Sequence, residues 1–167
     1  HAAEEERRRK REDEIRNWIT HGIAKFGDLL RQNNDNLDEL AFNIISNLLE
    51  YVEANQGGVF VLEENEQGER WFRLSASYAY DRRKFNQKRL EWGESLVGRV
   101  ALERKTLFLL EVPADYLEIT SGLGEHRPAC ILITPLMYNS QIFGIIEIAS
   151  FKKLEQHQIN FIEQISE

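Results

Sequence analysis

The opening part of the chain carries apolar side chains three or four positions apart, a spacing that places them on one side of a helix. A first helix is predicted from Ala2 to about Gln32, because no proline interrupts this densely charged stretch. Asn and Asp residues at 33–36 break the pattern, with Asn36 or Asp35 able to cap a second helix that runs from about Leu37. That second helix ends before a Gly-Gly pair.

The apolar stripe of the first helix is narrow at its start and widens toward its end, which suits a helix that leaves a two-stranded coiled coil and meets a globular body. We therefore expect a parallel homodimer, with a monomeric helix lying on its own domain as the alternative. The candidate dimer-interface residues are Ile15, Trp18, Ile19, Ile23, Phe26 and Leu30.

Shorter apolar runs rich in β-branched and aromatic residues predict strands in the rest of the chain. Residues 59–63 and 71–80 form a first predicted hairpin, and residues 107–112 form a further strand. Residues 131–137 and 142–148 form a second hairpin around a short polar turn. Neither run of this second hairpin alternates cleanly between apolar and polar, so we expect both of its faces to be covered.

Three other segments complete the pattern. Residues 81–89 are predicted as a charged connector, and residues 93–101 as a turn that leads into a short helix bracketed by glycines. A last helix begins near Leu154 and still runs at Glu167. The order of elements predicts an α+β fold on an antiparallel sheet, with a helix over residues 1–35 and a globular domain over 36–167.

A long polar segment at residues 113–128 separates the third predicted strand from the second hairpin. A loop of this length inside a domain is more often a lid or a binding segment than a plain connection. In the strand 71–80, one face is expected to carry Phe72, Leu74, Ala76, Tyr78 and Tyr80. That face is a candidate pocket wall, although its tyrosines would equally suit a core. The candidate ligand-binding residues are Tyr78, Tyr80, Tyr116, Thr120, Ser121, His126 and Glu147.

Glu147 stands out because it is a carboxylate in the middle of the apolar run 145–148. Burying an unpaired carboxylate is costly, so it needs a cation, hydrogen-bond donors or a raised pKa. The favoured interpretation is a salt bridge at the sheet surface to Arg82, Arg99 or Lys84. The functional interpretation is an acceptor for the donor groups of a ligand.

Charge and composition narrow the range of partners. The chain has 21 Lys and Arg against 28 Asp and Glu, and its net charge of −7 argues against nucleic acid as a partner. No apolar segment approaches the ~18 residues of a membrane span, so we expect a soluble fragment. The single cysteine favours the reducing cytoplasm as its compartment. A membrane anchor upstream is left open, because a chain that opens inside a charged helix is typical of a piece of a longer protein.

Motifs of common enzymes are missing from the sequence. It has no P-loop, no His-Glu-x-x-His and no Gly-x-Ser-x-Gly, and residues 122–124 are only half of a dinucleotide fingerprint. The single cysteine, Cys130, excludes an internal disulfide or a cysteine-rich metal site, and its apolar neighbours favour a buried small hydrophobe. We expect no catalytic residues, no metal and no cofactor.

Four motifs in this order and spacing resemble a GAF domain, the small-molecule sensor module of bacterial signalling proteins. They are Gly57-Gly58-Val59-Phe60-Val61-Leu62, Gly93-Glu94-Ser95-Leu96-Val97-Gly98-Arg99-Val100-Ala101, Ile133-Thr134-Pro135-Leu136 and Phe143-Gly144-Ile145-Ile146-Glu147-Ile148-Ala149. The resemblance implies a central antiparallel sheet with the N- and C-terminal helices on one face and a lidded ligand pocket on the other. The leading helix is similar to the signalling helices that follow HAMP or transmembrane segments.

The marks of several GAF subtypes differ from this sequence. Bilin-binding members carry a cysteine usually followed by histidine, whereas Cys130 is followed by Ile131. Cyclic-nucleotide members carry an Asn-Lys…Phe…Asp-Glu pattern that residues 86–88 do not match, and methionine-sulfoxide-reducing members need several cysteines. A haem would need a pocket histidine. His126 is the candidate for that ligand, but a solvent-facing or capping role beside Arg127 is favoured.

The resemblance implies a non-catalytic sensory and dimerisation module of a bacterial signal-transduction protein, with a sensor histidine kinase favoured. Its partners would be a second copy of the chain and an unknown small molecule. The competing hypothesis is a structural spacer whose pocket is filled by Tyr78, Tyr80, Tyr116 and Phe60. A regulatory domain of a cyclase, phosphatase or transcription regulator is a further alternative.

Overall fold

The computed structural model describes residues 1–32, 36–78, 89–92, 95–111 and 128–166. The chain divides into two compact units, residues 1–33 and residues 34–167. The first unit consists of helix α1, Ala2–Arg31, which confirms the predicted first helix. Two of its large apolar side chains are open to solvent, with Ile23 39% and Leu30 55% exposed.

The second unit contains, in chain order, α2 (Leu37–Val52), β1 (Gln56–Glu64), β2 (Arg70–Tyr78), β3 (Arg89–Glu91), α3 (Leu96–Glu103), β4 (Leu107–Leu109), β5 (Cys130–Tyr138), β6 (Gln141–Ser150) and α4 (Gln156–Ile165). Polar side chains fix the starts of two helices. Asn36 Oδ1 accepts a hydrogen bond from the Asp38 backbone N–H at 2.9 Å, and Ser95 Oγ accepts one from the Gly98 N–H at 3.0 Å. Both contacts satisfy N–H groups that a helix leaves unpaired at its N-terminus.

The strands of the described residues form one open antiparallel sheet in the order β3-β2-β1-β6-β5-β4. This confirms the predicted α+β fold. The two edge strands, β3 and β4, have only three residues each, which limits the unpaired backbone at the sheet edges. Strand β3 was not predicted, because the charged residues around it indicate a connector. It forms where Leu90 pairs with Phe72 of β2.

Strands β5 and β6 form a hairpin, and neither of them is an edge strand of the sheet. Tyr138 pairs with Gln141 at its tip. The two residues between them, Asn139 and Ser140, have φ angles of 50° and 64°. Positive φ at both central positions is the type I′ geometry that matches the twist of two paired strands. The predicted hairpin is therefore confirmed.

Helices α2 and α4 cover one face of the sheet, which we call the helical face. A Cβ atom on Gly57 of β1 would lie 2.9 Å from Cδ1 of Ile45 in α2, so α2 lies directly on the backbone of β1. The Thr106 hydroxyl lies 2.8 Å from Oγ1 of Thr134 in β5 and donates to Glu163 of α4 at 2.9 Å. These contacts join both helices to the sheet.

Helix α3 covers the other face, which we call the α3 face. Its buried residues Val97, Val100 and Ala101 belong to one apolar cluster with side chains from the sheet. The sheet residues of that cluster are Phe60, Phe72, Leu90, Ile131, Ile133, Ile142, Ile145 and Ala149. Both faces of the β5–β6 hairpin are therefore covered by protein.

The predicted alternation along β2 is wrong at its end, because a bulge interrupts it. Val59 pairs with Ala76 while the next residue of β1, Phe60, pairs with Leu74, so Ser75 is an extra residue. Directly paired residues share a face of the sheet. Tyr78 pairs with Gly57 and so lies on the helical face, opposite to Phe72 on the α3 face.

Candidate functional site

The candidate site is built around Glu147 of β6, which lies on the α3 face. Glu147 pairs with Ile133 of β5 and with Gly58 of β1, and Ile133 belongs to the apolar cluster under α3. The side chain of Glu147 is fully buried, with 0% exposure. The predicted position of Glu147 at the solvent-exposed surface of the sheet is therefore wrong. Arg82 and Lys84, two of its predicted partners, lie outside the described residues.

Two consecutive glycines in β1 shape the surroundings of Glu147. A Cβ on Gly57 would lie 2.9 Å from the Glu147 carbonyl oxygen and 2.9 Å from Ile45 Cδ1, so no side chain fits on the helical face at this point. Gly58 points to the opposite face, where it is the direct neighbour of Glu147. Because glycine has no side chain, no side-chain atom of β1 lies directly across from Glu147.

Gln56, the first residue of β1, supplies a second buried polar group on the α3 face. It pairs with Ala149 of the apolar cluster, and its side chain is 0% exposed. Within the described part of the chain, neither Nε2 nor Oε1 of Gln56 has a hydrogen-bond partner. Each buried polar group left unpaired costs about 1–3 kcal/mol. Native proteins contain few such groups, so this one requires a reason.

The positions of the two polar residues follow from the register of β1 and β6. Gln56 pairs with Ala149, which is two residues beyond Glu147 on β6. Residues related in this diagonal way share a face and have Cα atoms about 7–8 Å apart. An amide and a carboxylate are therefore held on one wall of the α3 face, with Gly58 between them along β1.

Sequence reasoning found Glu147 but missed Gln56. The first strand was predicted from Val59, because a glutamine before two glycines is typical of a loop. The strand begins three residues earlier, at Gln56. No single-residue signal reveals this, since the amide is placed on the α3 face by its pairing with Ala149 rather than by its neighbours in the sequence.

Five of the predicted ligand-binding residues cannot be placed relative to this pair, because they lie outside the described residues. They are Tyr80, Tyr116, Thr120, Ser121 and His126. The described chain stops at Tyr78 and again at Glu111, and it resumes at Arg89 and Pro128. Tyr78 lies on the helical face, 46% exposed, so the structure does not bring it together with Glu147.

The helical face carries a polar network of a different kind. Arg73 forms ion pairs with Glu63 and Asp38, the latter at 3.3 Å, and Asp38 also accepts a hydrogen bond from Ser75. The Ser75 hydrogen bond is the main cause of a lowered pKa at Asp38, and the Glu63 hydrogen bond is the main cause of a raised pKa at Arg73. These half-exposed, mutually paired groups connect the start of α2 to β2.

Metal and thiol chemistry receive little support from the described residues. Within them, no group of three His, Cys, Asp or Glu side chains could hold a metal ion. Cys130 is buried, which confirms the prediction of a small hydrophobe, and this burial is the main cause of its raised thiol pKa. It pairs with Ser150 while its neighbour Ile131 faces α3, so the thiol lies on the helical face, away from Glu147.

Comparisons with known proteins identify the fold. The chain resembles the GAF domain of a phosphoenolpyruvate-protein phosphotransferase from Coxiella burnetii, with a TM-score of 0.70 at 17% identity, over 91% of this chain and 88% of that one. It also resembles the GAF domain of nlh2 from A. aeolicus in an inactive state, with a TM-score of 0.70 at 15% identity, over 92% and 93%.

A third similar structure is an enzyme, the type II free methionine-R-sulfoxide reductase from Thermoplasma acidophilum. Its TM-score is 0.57 at 16% identity, over 78% of this chain and 86% of that one. No curated protein matches the sequence significantly, and no helix in the described ranges is long and apolar enough to cross a membrane. The sequence model of the GAF domain family matches residues 34–167. The chain therefore belongs to the GAF domain family, a family of sensory and regulatory modules.

Proposed function

We propose that this GAF domain is a non-catalytic sensory module of a larger bacterial signal-transduction protein, and that it binds a small molecule on the α3 face. The observation that carries the proposal is the pair of fully buried polar residues, Gln56 and Glu147, in an otherwise apolar layer. Ligand sites are typically apolar with a few polar groups that fix the orientation of the ligand. A domain that served only as a spacer would gain stability from an apolar residue at position 56, where both amide atoms lack a partner among the described residues.

Binding at this site would be passed to the terminal helices through β1. This strand holds Gln56 and Gly58 on the α3 face, and α2 packs directly on its backbone at Gly57. A ligand that prefers one position of β1 would shift the balance between two packings of α2, and only the difference in affinity for the two states would drive the change.

The output that we favour is a sensor histidine kinase in the cytoplasm, in which two copies of the domain form a parallel dimer through α1. Ile23 and Leu30 of α1 have exposed apolar side chains, which would be buried against a partner helix. Exposed apolar surface of this kind supports an interaction site. A regulatory domain of a cyclase, phosphatase or transcription regulator would use the same arrangement.

Two observations favour a binding role over a catalytic one. The only thiol, Cys130, is buried on the helical face with a raised pKa, whereas thiol chemistry requires an accessible, easily ionised group. Among the described residues, the polar groups of the site are an amide and a carboxylate, which can orient a ligand but do not form a paired nucleophile and base. The similarity to a sulfoxide reductase is therefore one of fold.

A thermal-shift screen of the purified chain against a metabolite library tests the sensory function. A compound present at one hundred times its Kd should stabilise the fold by about 2.7 kcal/mol. Its effect should be reduced in Glu147→Gln if the carboxylate faces the ligand. If no compound raises the melting temperature, the spacer alternative is supported.

Sedimentation equilibrium of the chain tests the dimer separately. We expect a dimer at micromolar concentration and a monomer for Ile19→Glu, which places a charge in the apolar stripe of α1. Lys10→Glu changes a charge outside that stripe and serves as the matched control. A monomeric wild-type chain at high concentration would rule out the coiled-coil proposal. The proposal that the domain binds a small molecule would still stand.

A further inference from the structure

An accessible cavity of about 560 Å³ lies where the β1–β2 turn, the β5–β6 turn and the C-terminal end of α3 meet. This volume is in the range of small-molecule sites. Leu62 of β1 lines the cavity, whereas Gln56 and Glu147 do not. Because Leu62 follows Gln56 by six residues along a strand, the two positions are roughly 20 Å apart. The cavity is therefore separate from the site proposed above.

Arg70 of β2 brings a positive charge to this cavity. Its guanidinium carbon lies 4.1 Å from the centroid of the Trp92 ring, which is itself stacked on the buried ring of Phe72. Glu64 is directly across from Arg70 in the strand pair, yet Arg70 forms no ion pair with it or with any other described carboxylate. Stacking uses the face of a guanidinium and leaves the N–H groups in its plane free to donate.

Arg104 lines the same cavity from the end of α3. Its φ of 61° and ψ of 34° lie in the left-handed region, where a helix usually ends on glycine. Glycine would end the helix without strain and without a charge, so arginine at this position requires another reason. Its side chain is exposed, and within the described ranges it forms no ion pair.

The charges around the cavity favour an anion. The described ionisable residues that line it are Arg70, Arg104 and Glu64, which gives two positive charges against one negative charge. This local excess of positive charge contrasts with the net charge of −7 of the whole chain. A guanidinium can donate two parallel hydrogen bonds to the oxygens of a carboxylate or a phosphate.

The apolar residues of the cavity favour a ligand that is more than an inorganic ion. Ala101 and Ile142 belong to the apolar cluster of the α3 face and form part of the cavity wall. Leu102 and Phe143, which also line it, are 60% and 53% exposed. An apolar ring or chain that covers them removes this surface from water, which is favourable. An inorganic anion would leave it exposed.

We propose that this cavity binds a small organic anion with an apolar ring or chain. The anionic group contacts Arg70 and Arg104, and the apolar part covers Ile142, Phe143 and Leu102. The anionic group is a carboxylate or a phosphate, since both accept paired hydrogen bonds from guanidinium groups, and the experiment separates the two. This is a second binding site of the domain, and it does not depend on a ligand at Gln56 and Glu147.

A titration of the whole ¹⁵N-labelled chain followed by two-dimensional NMR tests the proposal. The probes are phenylacetate, phenyl phosphate, phenylacetamide and acetate. We expect phenylacetate or phenyl phosphate to shift the signals of residues 140–143 and of the Trp92 indole, and the tighter of the two identifies the anionic group. Phenylacetamide lacks the charge and acetate lacks the ring, so each should bind at least about threefold more weakly than the preferred anion.

Two arginine variants and a matched control locate the anionic group. Arg70→Gln and Arg104→Asn should each weaken binding of the preferred anion about three- to fivefold, the effect of one exposed ion pair. Asparagine is chosen at position 104 because it tolerates a positive φ. Arg99→Gln removes an exposed arginine of α3 that does not line the cavity, and it should bind like the wild type. Wild-type affinity in both cavity variants would overturn the proposal.

Salt provides a measurement that needs no variant. Raising NaCl from about 50 mM to about 0.5 M screens exposed charges, so it should weaken binding of the preferred anion and leave phenylacetamide unaffected. Affinity for the anion that does not change with salt would contradict the role of the arginines. Binding of phenylacetamide or acetate as tight as that of the preferred anion would show that the ligand class is wrong.

The outcome can be told apart from that of the sensory proposal. Gln56→Met leaves this cavity unchanged and should bind the preferred anion like the wild type. If Gln56→Met loses that binding, the anion occupies the site around Gln56 and Glu147, and the inference of a second site is wrong. If none of the four probes binds, the inference also falls, while the metabolite screen still decides the sensory function.

Discussion

Replacing Gln56 by methionine should stabilise the ligand-free domain, although most substitutions in a buried layer destabilise it. The side chain is 0% exposed, and no described residue pairs with either of its polar atoms. Methionine has a similar length and adapts to irregular surroundings. The variant therefore keeps the apolar contacts and removes two groups that lost their water on folding.

The expected gain is about 1–3 kcal/mol in the free energy of unfolding, which is the cost of one unpaired buried group. The gain would be larger if the missing partner costs free energy at both amide atoms. It would be smaller if methionine fits the site imperfectly. For a domain of this size, such a gain corresponds to roughly 3–9 °C in the melting temperature. The same substitution should abolish stabilisation by any ligand that uses the amide.

The matched control is Gln158→Met, which makes the same chemical change at a paired amide. Gln158 Nε2 donates to the Val52 carbonyl at 3.1 Å, and its Oε1 accepts from the Glu155 backbone N–H at 2.8 Å. The substitution leaves both backbone groups without these partners, one of them at the start of α4. We expect a loss of about 1–2 kcal/mol, opposite in sign to the effect at Gln56.

Urea unfolding followed by tryptophan fluorescence measures both variants against the wild type. The slope of free energy against urea should be unchanged, so that a shifted midpoint reports stability alone. If Gln56→Met loses as much stability as Gln158→Met, the buried amide has partners in solution, such as an ordered water molecule. The physical argument for a ligand at Gln56 would then be refuted.

Three further predictions concern other parts of the domain. Gly144→Ala should lower the free energy of unfolding by about 3 kcal/mol in a urea titration, because its Cβ would lie 2.5 Å from the Phe60 carbonyl oxygen; an unchanged midpoint would contradict this. Asp38 has a pKa lowered mainly by Ser75, so its contribution to stability is present above the unfolded carboxyl pKa of about 4 and lost as the pH falls through the folded value. The stabilities of wild type and Asp38→Asn should therefore converge in acid, and a constant difference down to the lowest pH would exclude the linkage. Cys130, buried with a raised pKa, should react with a disulfide reagent only as fast as the domain unfolds, and a rapid native reaction would show that the thiol is accessible.

The fold was predictable where local chemistry and global pairing agree. The β5–β6 hairpin contains two runs of β-branched residues joined by a polar turn, and the observed strands 130–138 and 141–150 extend the predicted runs by only a few residues. Helix α3 was also predictable, although Gly98, one of the two glycines expected to bracket it, lies inside the helix. Its start combines an N-cap serine with an apolar spacing of three and four positions.

The candidate site was only half predictable, because the face that a strand residue occupies depends on pairing with its neighbours. The extra residue Ser75 reverses the side-chain alternation and moves Tyr78 to the helical face. Such a bulge reflects the register between β1 and β2, which periodicity within β2 does not contain. Gln56 escaped notice for the same reason, since only its pairing with Ala149 places a polar residue in the apolar layer.

The two adjacent glycines, Gly57 and Gly58, explain how one strand can serve both binding and relay in the function that we propose. Gly58 faces Glu147, while Gly57 faces Ile45 of α2, whose side chain is 0% exposed. A Cβ at position 57 would lie 2.9 Å from both Ile45 and the Glu147 carbonyl oxygen. Densely packed protein interiors have low compressibility, so they transmit a displacement to neighbouring side chains. A ligand that displaces β1 or β6 at Glu147 must therefore also change how Ile45 packs, which connects the α3 face to the helical face across a single layer of backbone.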